Sequence, residues 1–352
     1  MKIVIAIDHF KEGGAERVAS VIANLFCKHH EVHVVVMEDC INYPLDKTRI
    51  QYHVVSFVRN NRILRKISKL VCYRRILLKI KPEVVFAFAN FMAVYTYVSL
   101  LGKSTRIVAS ERTDPTREPQ NAISRLLRDV AYGKADVLVC QTEWVKQYFE
   151  QKFKTKCVVI PNPITPNLPK WEGEKSTQII TACRLTAQKN LPLLLRAFSK
   201  IHKDYPEFTL KILGEGEDRN DLVALIRELK LDDFVFMPGF STNVHQEMIH
   251  SCMYVSSSDY EGISNSMIEA LGCGLPTICT DCPVGGTSMF IENGVNGLLI
   301  PVGDVEALAN AIERFITDKP FAVECGRKAQ EINHRINAET IAQLWVRSLP
   351  YN

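Results

Sequence analysis

The sequence predicts an α/β protein built from two doubly wound domains. Short apolar runs alternate with amphipathic helical patterns through all 352 residues, and a proline-rich segment interrupts this alternation near the middle. Such alternation is typical of parallel sheets that carry helices on both faces. The chain is also long enough to form two domains of ordinary size, each with its own core.

The apolar runs of the first half predict five strands, and two clear helical patterns lie among them. The strands are Lys2–Asp8, Val32–Met37, Glu83–Ala89, Arg106–Ser110 and Val137–Cys140, and the helices are Ala15–Lys28 and Ile123–Gly133. The second half repeats this organisation. Its predicted strands are Gln178–Cys183, Thr209–Leu213, Phe234–Met237, Met253–Ser256 and Thr277–Thr280, and its predicted helices are Leu191–His202, Asp218–Leu229, Ser266–Gly272 and Val305–Ile316.

The proline-rich segment 161–169 marks the predicted domain boundary. It holds four prolines in nine residues. Because proline fixes φ and lacks an N–H, this stretch is expected to form a linker. We therefore predict domains at residues 1–165 and 166–335, and a C-terminal helix within 336–352 that can pack back on the first domain. Doubly wound sheets bind ligands at the carboxyl ends of their strands, so a cleft between the domains is the expected site.

Composition places the protein among soluble globular chains. It is 47% apolar and 23% charged, as is usual for that class, and no apolar run approaches the ~20 residues needed to cross a bilayer. The first eight residues form a strand pattern rather than a secretory signal. The 11 cysteines are scattered and mostly lie in apolar segments, as expected of reduced thiols. These features predict a cytosolic protein.

Charge is divided unevenly between the two halves. Residues 1–165 carry 26 Lys and Arg against 15 Asp and Glu, whereas residues 166–352 carry 17 against 24. A basic half and an acidic half fit two domains with different partners.

The most informative segment runs from Glu261 to Glu269. Gly262 permits a sharp turn, and Ser264 or Asn265 can cap a helix that begins there. Glu261 would then lie before the helix and Glu269 about one turn inside it. The helix N-terminus suits an anion such as a diphosphate, and the two carboxylates suit polyols on either side of it. A nucleotide sugar has that order, although two solvated glutamates are the simpler alternative.

Two cations follow the first strand of the second half. Arg184 ends that strand and Lys189 lies five residues later. Just beyond a strand's carboxyl end, the pair can clamp a diphosphate, the Arg bidentately and the Lys as a point charge. Their place at the predicted cleft favours this function over that of ordinary surface charges.

Glycines at two strand ends are further candidates for ligand contact. Gly13 and Gly14 follow the first strand and open the first helix, where a phosphate or sugar can approach the backbone. Gly214 closes a strand of the second half and can approach a nucleobase or ribose. The alternative for Gly13 and Gly14 is a tight turn without ligand. The alternative for Gly214 is a common strand-to-helix connection.

A basic amphipathic helix is predicted within residues 59–81, which carry nine Lys or Arg and no acid. Its apolar stripe is Ile63, Ile67, Leu70, Val71, Leu77 and Leu78, and the cations Arg62, Arg65, Lys66, Lys69, Arg75 and Lys79 fall largely on the other face. The apolar stripe must pack on something, and the simpler alternative is a core-packed helix with a solvated face. A cationic face without an acid also suits a membrane surface with anionic lipid, or a lipid diphosphate. No recognition helix or interleaved aromatic pattern supports nucleic-acid binding.

No metal or other cofactor is predicted. The chain contains no Asp-x-Asp to hold a divalent cation under a diphosphate. Cys279 and Cys282 have the spacing of a metal or redox pair, but no second pair and no His-x3-His follows them. Residues 13–17 lack the G-x-G-x-x-G pattern of a nicotinamide site, and neither a serine nucleophile elbow nor a P-loop occurs.

Taken together, these segments resemble the retaining glycosyltransferase family 4, which has the two-domain GT-B architecture. The resemblance runs in order through residues 13–17, 160–163, 184–189, 214–216, 261–269, 281–286 and 296–299. It is most similar to bacterial enzymes that extend lipid-linked oligosaccharides for surface polysaccharide or protein glycosylation. It implies two Rossmann-like domains facing a central cleft, an N-terminal one that binds acceptor and a C-terminal one that binds the nucleotide sugar.

The resemblance also implies roles for the candidate residues. Glu269 would hold the ribose hydroxyls, and Glu261 would contact the donor sugar. Arg184 and Lys189 would neutralise the diphosphate leaving group. The remaining implied donor contacts are Gly13, Gly14, Gly214, Gly262, Ile263, Ser264 and Asn265. No covalent nucleophile stands out, which agrees with same-face retaining transfer, and the nucleotide sugar is a substrate rather than a cofactor.

The chain departs from the family pattern at three positions. Arg112 stands where many relatives have a His near the acceptor, in Ser-Glu-His. Met289 stands where a Glu often follows the Gly-Gly turn, which leaves one donor contact open. Cys183 replaces the usual Gly before Arg184, a change expected to affect packing alone.

The predicted function is a retaining hexosyltransferase using a UDP-hexose or UDP-N-acetylhexosamine, with GDP-mannose still open. Its acceptor would be a polyprenyl-diphosphate-linked saccharide at the cytosolic face of the cell membrane. The predicted acceptor or membrane contacts are Arg62, Arg65, Lys66, Lys69 and Arg112. Two alternatives remain open: a sugar-nucleotide epimerase of the same fold, and a partner subunit that binds without catalysis.

Overall fold

The computed structural model describes residues 1–11, 13–57, 61–173 and 176–349. Arg59, in the predicted basic segment, lies outside these ranges, and so does the side chain of Arg62. The chain divides into two compact units, Met1–Pro163 with Ala338–Asn352, and Ile164–Asn337. The observed boundaries, 163/164 and 337/338, each lie two residues from the predicted boundaries, 165/166 and 335/336.

The first unit is a seven-stranded parallel sheet in the order β3-β2-β1-β4-β5-β6-β7. Its strands are β1 Lys2–Ile7, β2 Glu31–Val36, β3 Ile50–Val54, β4 Val84–Phe88, β5 Arg106–Ser110, β6 Val137–Cys140 and β7 Lys156–Val159. Its helices before the junction are α1 Gly14–Phe26, α2 Arg62–Ile80, α3 Asn90–Ser99, α4 Ala122–Gly133 and α5 Glu143–Glu150. The order of strands reverses between β1 and β4, as in doubly wound sheets.

Two strands of this sheet are absent from the sequence prediction, and both are edge strands. β3 has the sequence Ile-Gln-Tyr-His-Val with one buried residue, whereas all five residues of β4 are buried. An edge strand is covered less completely than a central one, so it tolerates polar residues and loses the continuous apolar run that marks a buried parallel strand. β7 is likewise only partly buried.

The second unit is a six-stranded parallel sheet in the order β10-β9-β8-β11-β12-β13. Its strands are β8 Gln178–Ala182, β9 Thr209–Leu213, β10 Val235–Gly239, β11 Met253–Ser256, β12 Thr277–Thr280 and β13 Leu298–Ile300. Its helices are α6 Leu191–Asp204, α7 Arg219–Glu228, α8 Val244–Ile249, α9 Asn265–Cys273, α10 Val305–Thr317, α11 Lys319–Ala329 and α12 Ile332–Arg335. The prediction of two doubly wound α/β domains is therefore confirmed.

The last helix, α13 Ala338–Ser348, belongs to the first unit. Its Trp345 is fully buried and packs on the rings of Phe86 and Phe88 in β4, with ring centroids 5.6 and 5.2 Å away. The core of this unit thus contains residues from both ends of the chain. None of the helices in the described ranges has the length and apolar character needed to cross a membrane.

Candidate active site

A buried ion pair joins two of the predicted site residues. Lys189 lies in a 3₁₀ turn after β8, and Glu261 lies in the loop between β11 and α9. Lys189 Nζ pairs with the Glu261 carboxylate, and the two side chains are only 13% and 15% exposed. Burial acts to lower the pKa of Lys189, but the charge and hydrogen bond of Glu261, together with Cys183, more than offset it and the pKa is raised. The pair therefore places a fixed ammonium beside a carboxylate.

The turn that carries Lys189 is held against the loop that follows β11. Ser257 Oγ donates a hydrogen bond to the Lys189 carbonyl at 2.9 Å. Asn190 Nδ2 donates to the carboxylate of Asp259 at 2.7 Å, and the Asp259 N–H donates to the carbonyl of Gln188 at 2.9 Å. These bonds fix the backbone of the turn, and the pairing with Glu261 restricts the rotamers of the Lys189 side chain.

Arg184, the other predicted diphosphate ligand, differs from Lys189 in its surroundings. Its side chain is exposed, and within the described ranges no carboxylate lies at ion-pairing distance from it. A buried paired lysine and an exposed arginine thus occupy the same strand-to-helix connection. The arginine keeps its fork of donors available to a ligand.

The predicted helix after Glu261 is present as α9. Of the two candidate caps the structure uses Ser264, whose hydroxyl accepts a hydrogen bond from the N–H of Met267 at 3.4 Å. Asn265 is the first helical residue, and Gly262 and Ile263 are buried just before the cap. The amides of this first turn are those that an anion at a helix N-terminus would bind.

Glu269 lies about one turn inside α9 and is only 7% exposed. One carboxylate oxygen accepts a hydrogen bond from Thr165 Oγ1 at 2.7 Å. The other lies 3.1 Å from Nε2 of His245 in α8. These two contacts engage both carboxylate oxygens and so orient the group.

Thr165 and His245 were not predicted as site residues. Thr165 lies inside the proline-rich segment, which the sequence marks only as a linker. His245 follows an unremarkable loop, and its partner lies 24 positions away. Neither residue has a local signal. The contact of His245 depends on how α8 packs beside α9, and Thr165 lies 104 positions from Glu269 in the sequence.

Close backbone approaches explain two glycines near the site. A Cβ on Gly286 would lie 1.4 Å from the carbonyl oxygen of Gly262 and 3.2 Å from the amide of Ile263. The same two loops are joined by a hydrogen bond from the N–H of Glu261 to the carbonyl of Pro283, at 2.7 Å. Only glycine fits at position 286, and this contact supports the turn that positions Glu261.

Gly214 has a structural requirement of its own. Its φ is +132°, and a Cβ there would lie 1.9 Å from the carbonyl oxygen of Cys183, the residue that follows the neighbouring strand β8. Burial raises the pKa of the Cys183 thiol to about 11, so this residue packs as a neutral side chain. Gly214 therefore lets the ends of β8 and β9 approach closely, beside Arg184.

In the first unit, the predicted phosphate contact at the start of α1 is partly covered by the protein's own carboxylate. Gly14 begins the helix, and Gly13 precedes it in an extended conformation. The position that a Cβ on Gly13 would occupy lies 2.1 Å from a carboxylate oxygen of Glu16. The hydroxyl of Tyr43 also lies 3.3 Å from the Gly13 nitrogen.

Arg112 follows β5 and is held in the interior rather than presented to solvent. Its Nη1 donates a hydrogen bond to Asn162 Oδ1 at 2.7 Å, and its guanidinium carbon lies 5.3 and 5.4 Å from the rings of Phe88 and Trp345. Burial lowers the pKa of Arg112 to about 10. The structure thus separates Arg112 from the exposed cations with which the sequence grouped it.

The predicted basic helix is present as α2, but its apolar stripe packs only in part. Leu77 is buried, whereas Ile63, Ile67, Val71 and Leu78 are exposed. An ordinary core-packed helix, the simpler alternative, is therefore wrong for most of this stripe. The physical reason is that the first half of α2 projects its apolar residues into solvent, which hydrophobic periodicity cannot reveal.

The cations near the start of α2 line a cavity of about 340 Å³. Arg65, Lys66 and Lys69 form one wall. The remaining lining residues are Asp8, Met37, Glu38, Phe57, Phe91 and Tyr95. The structure thus brings three of the predicted acceptor contacts together.

Two family models match the chain and together cover most of it. The model Glycosyltransferase Family 4 matches residues 12–168, and Glycosyl transferases group 1 matches residues 168–332. The Anabaena protein HepE, solved in complex with UDP and glucose, aligns over 99% of both chains with a TM-score of 0.87 and 20% identity. The fold is thus that of the GT-B glycosyltransferases. The chain thus carries a glycosyltransferase family 4 domain followed by a glycosyl transferases group 1 domain, and the protein is a glycosyltransferase.

Similarity to bacterial relatives extends over most of the chain. The Campylobacter jejuni N-acetylgalactosamine-N,N'-diacetylbacillosaminyl-diphospho-undecaprenol 4-alpha-N-acetylgalactosaminyltransferase is 29% identical over 94% of each chain. The amylovoran biosynthesis glycosyltransferase AmsD of Erwinia amylovora is 25% identical over 83% of this chain and 84% of its own. The protein is accordingly a glycosyltransferase of glycan biosynthesis.

Proposed function

We propose that this glycosyltransferase moves a hexose or N-acetylhexosamine, with retention, from a UDP-sugar to a polyprenyl-diphosphate-linked saccharide. The observation that carries the proposal is the cluster of Lys189, Glu261 and exposed Arg184 in the second unit, together with Glu269 inside α9. It combines two cations for a diphosphate with two carboxylates for hydroxyl groups.

The chemical task of the site is to stabilise the departing nucleoside diphosphate. Negative charge grows on that group as the glycosidic bond breaks, so fixed cations lower the energy of the transition state more than that of the bound substrate. Lys189 supplies a positioned ammonium, and Arg184 supplies a bidentate donor set. We propose that these residues, rather than a metal ion, neutralise the leaving group.

The carboxylates then define the two ends of the donor. Glu269 is oriented by its contacts with Thr165 and His245, and its carboxylate, an acceptor only, suits the ribose hydroxyls. Glu261 shares its charge with Lys189 and suits the hydroxyls of the transferred sugar. The first turn of α9 lies between them and offers backbone donors to the diphosphate.

The acceptor and the stereochemistry rest on the relatives. The name of the Campylobacter protein gives a diphospho-undecaprenol acceptor and an α-linkage. Common UDP-hexose donors are themselves α-linked, so formation of an α-glycoside means retention. The basic helix α2 supports the same kind of acceptor here, since its cations suit a lipid diphosphate.

The test is transfer of labelled sugar from a panel of UDP- and GDP-sugars into polyprenyl-diphosphate-linked saccharides by the purified protein. We expect one UDP-sugar to label the lipid fraction, and the α-configuration of the product to be preserved. Label that remains water-soluble as a new nucleotide sugar would indicate an epimerase instead. Donor binding without any conversion would indicate a subunit that has lost activity.

We also propose that the enzyme associates peripherally with membranes through α2 and α4. Helix α4 exposes Ile123, Leu126, Leu127 and Val130 by 68%, 64%, 49% and 45%, an i, i+3, i+4, i+7 stripe that faces solvent. Helix α3 packs against both α2 and α4. Because α2 carries cations and no acid, a bilayer containing anionic lipid complements this surface in both apolar character and charge.

Replacing Ile123 and Leu126 together by Ser should weaken binding to vesicles of anionic phospholipid about tenfold or more, because two inserted apolar side chains are lost. Co-sedimentation of the protein with the vesicles measures this binding. The matched control is Val323→Ser, which removes an apolar residue that is 47% exposed on α11 of the second unit. Equal vesicle binding by all three proteins would exclude α4 as the contact.

A further inference from the structure

We propose that Thr165 and His245 are positioning residues of the donor site, which hold the Glu269 carboxylate in the orientation that recognises the ribose hydroxyls. They thereby set the preference of the enzyme for a nucleotide that carries these hydroxyls over one that lacks them. This inference rests on the proposed ribose role of Glu269 and adds the two residues on which that role depends. All three residues lie in the second unit.

Two donors on different elements hold the Glu269 carboxylate, one at each oxygen. Thr165 Oγ1 donates to Oε1 at 2.7 Å, and His245 Nε2 lies 3.1 Å from Oε2. An ionised carboxylate can only accept, so Nε2 carries the imidazole hydrogen in this contact. The last torsion of a glutamate has broad minima, and a donor at each oxygen restricts it more closely than one donor can. The two contacts together therefore define the plane of the carboxylate.

Recognition of a hydroxyl depends on that orientation, because hydrogen bonds weaken steeply when they are misaligned. Glu269 is buried, so a ribose hydroxyl that is missing or misplaced deprives a largely desolvated acceptor of a partner. A site built to bind a hydroxyl rejects the analogue that lacks it far more strongly than an apolar pocket could. The preference for ribose therefore falls when the carboxylate loses one of the donors that orient it.

Helix α8 is anchored in a way that fixes the position of His245. Met248 follows His245 by three residues, so it lies on the same side of the helix, and it is fully buried. Glu247 accepts from Lys211 Nζ of β9 at 2.8 Å, and Ser251 Oγ donates to the Glu247 carbonyl at 2.8 Å. The imidazole thus reaches Glu269 from a helix that is itself held to the sheet.

The segment that carries Thr165 is also held against α9. The N–H of Trp171 donates to the carbonyl of Cys273, the last residue of that helix, at 2.8 Å. A Cβ on Gly272 would lie 2.4 Å from Cδ1 of Ile164, so the segment packs closely on the helix. The proline-rich stretch that the sequence marks as a linker therefore also supplies a fixed donor to the site.

The test measures binding of UDP and of its analogue without ribose hydroxyls, 2′,3′-dideoxy-UDP, by titration calorimetry, which needs no acceptor. The ratio of the two dissociation constants reports recognition of the hydroxyls alone. We expect the wild type to bind UDP about 100-fold more tightly than the analogue, since the analogue loses its hydrogen bonds to a charged group.

Thr165→Val and His245→Phe each remove one donor and keep the approximate shape of the side chain. We expect each to lower the ratio about tenfold, because the carboxylate keeps only one of the two donors. Thr165→Ser and His245→Gln return a donor and should restore most of the ratio. The matched control is His250→Phe, which replaces an exposed histidine at the C-terminal end of the same helix and should leave the ratio unchanged.

A purely structural role for the two residues predicts a different result. It would lower the melting temperature and weaken binding of both nucleotides alike, so an unchanged ratio in both Thr165→Val and His245→Phe would overturn the inference. In a Glu269→Ala background neither replacement should change the ratio further, because both act through that carboxylate. A further change would show direct contact with the nucleotide and would also overturn the positioning role.

Failure of this inference is distinguishable from failure of the proposed function. Equal affinity of the wild type for the two nucleotides would contradict the ribose role of Glu269, and the inference with it. A ratio that falls in Glu269→Ala but not in Thr165→Val or His245→Phe would overturn the inference alone. The expected ratios without sugar transfer to any lipid-linked saccharide would uphold the inference and contradict the proposed function.

Discussion

Replacing Lys189 by Met should lower kcat/KM for sugar transfer about 10² to 10³-fold. Lys189 is the buried, positioned cation of the candidate site, and removal of one such stabilising group from a developing anion has effects of that order. The matched control is Lys200→Met. Lys200 is also ion-paired, with Glu306, but lies on the exposed surface of α6 in the same unit. Its loss should leave transfer unchanged.

A second variant separates this catalytic effect from stability. In Lys189→Met the Glu261 carboxylate remains mostly buried without its partner, so the melting temperature should fall. Adding Glu261→Gln removes the uncompensated charge and should restore much of that fall without restoring transfer. Recovery of transfer together with stability would show that Lys189 acts only as a structural partner of Glu261.

Replacing Glu269 by Gln should weaken UDP binding about 100-fold. The carboxamide substitutes a donor group for one of two acceptor oxygens, so it cannot satisfy Thr165, His245 and two ribose hydroxyls together. Titration calorimetry with UDP measures the effect independently of any acceptor. The side chains are nearly isosteric, which limits disturbance of α9.

The control for Glu269→Gln is Glu247→Gln on α8. Glu247 also accepts from a cation, Lys211, at 2.8 Å, but it is 35% exposed and lies outside the cluster. Its replacement should leave the affinity for UDP as in the wild type. An unchanged affinity in Glu269→Gln would remove the ribose role from that residue and leave it a structural acceptor for Thr165.

The repeated alternation of strand and helix made the fold predictable. Central strands such as β4 are buried along their whole length, and a continuous apolar run is their direct signature. The edges of the sheet were not predictable in the same way, since β3 and β7 are half covered and their sequences are mixed. Local signals also sufficed to predict α9, because Gly262, the N-cap Ser264 and the helix follow one another in the sequence.

The partners within the candidate site were not predictable, because they come from distant parts of the chain. Lys189 and Glu261 are 72 positions apart, and Glu269 and Thr165 are 104 apart. Lys189, Glu261 and Glu269 were good candidates at their own positions and Thr165 was not, and nothing local pairs the members of either couple. Periodicity likewise identified α4 as a helix without showing that Leu126 faces solvent, because an apolar stripe has the same spacing in either case.

The position of Trp345 has a consequence for how the protein is made. The aromatic core of the first unit needs this residue of α13 against Phe86 and Phe88, whereas the second unit is complete at Asn337. During synthesis the ribosome releases every residue of the second unit before it releases Trp345. The unit that begins the chain is therefore the last to complete its core, in contrast to the usual N-terminal-first order.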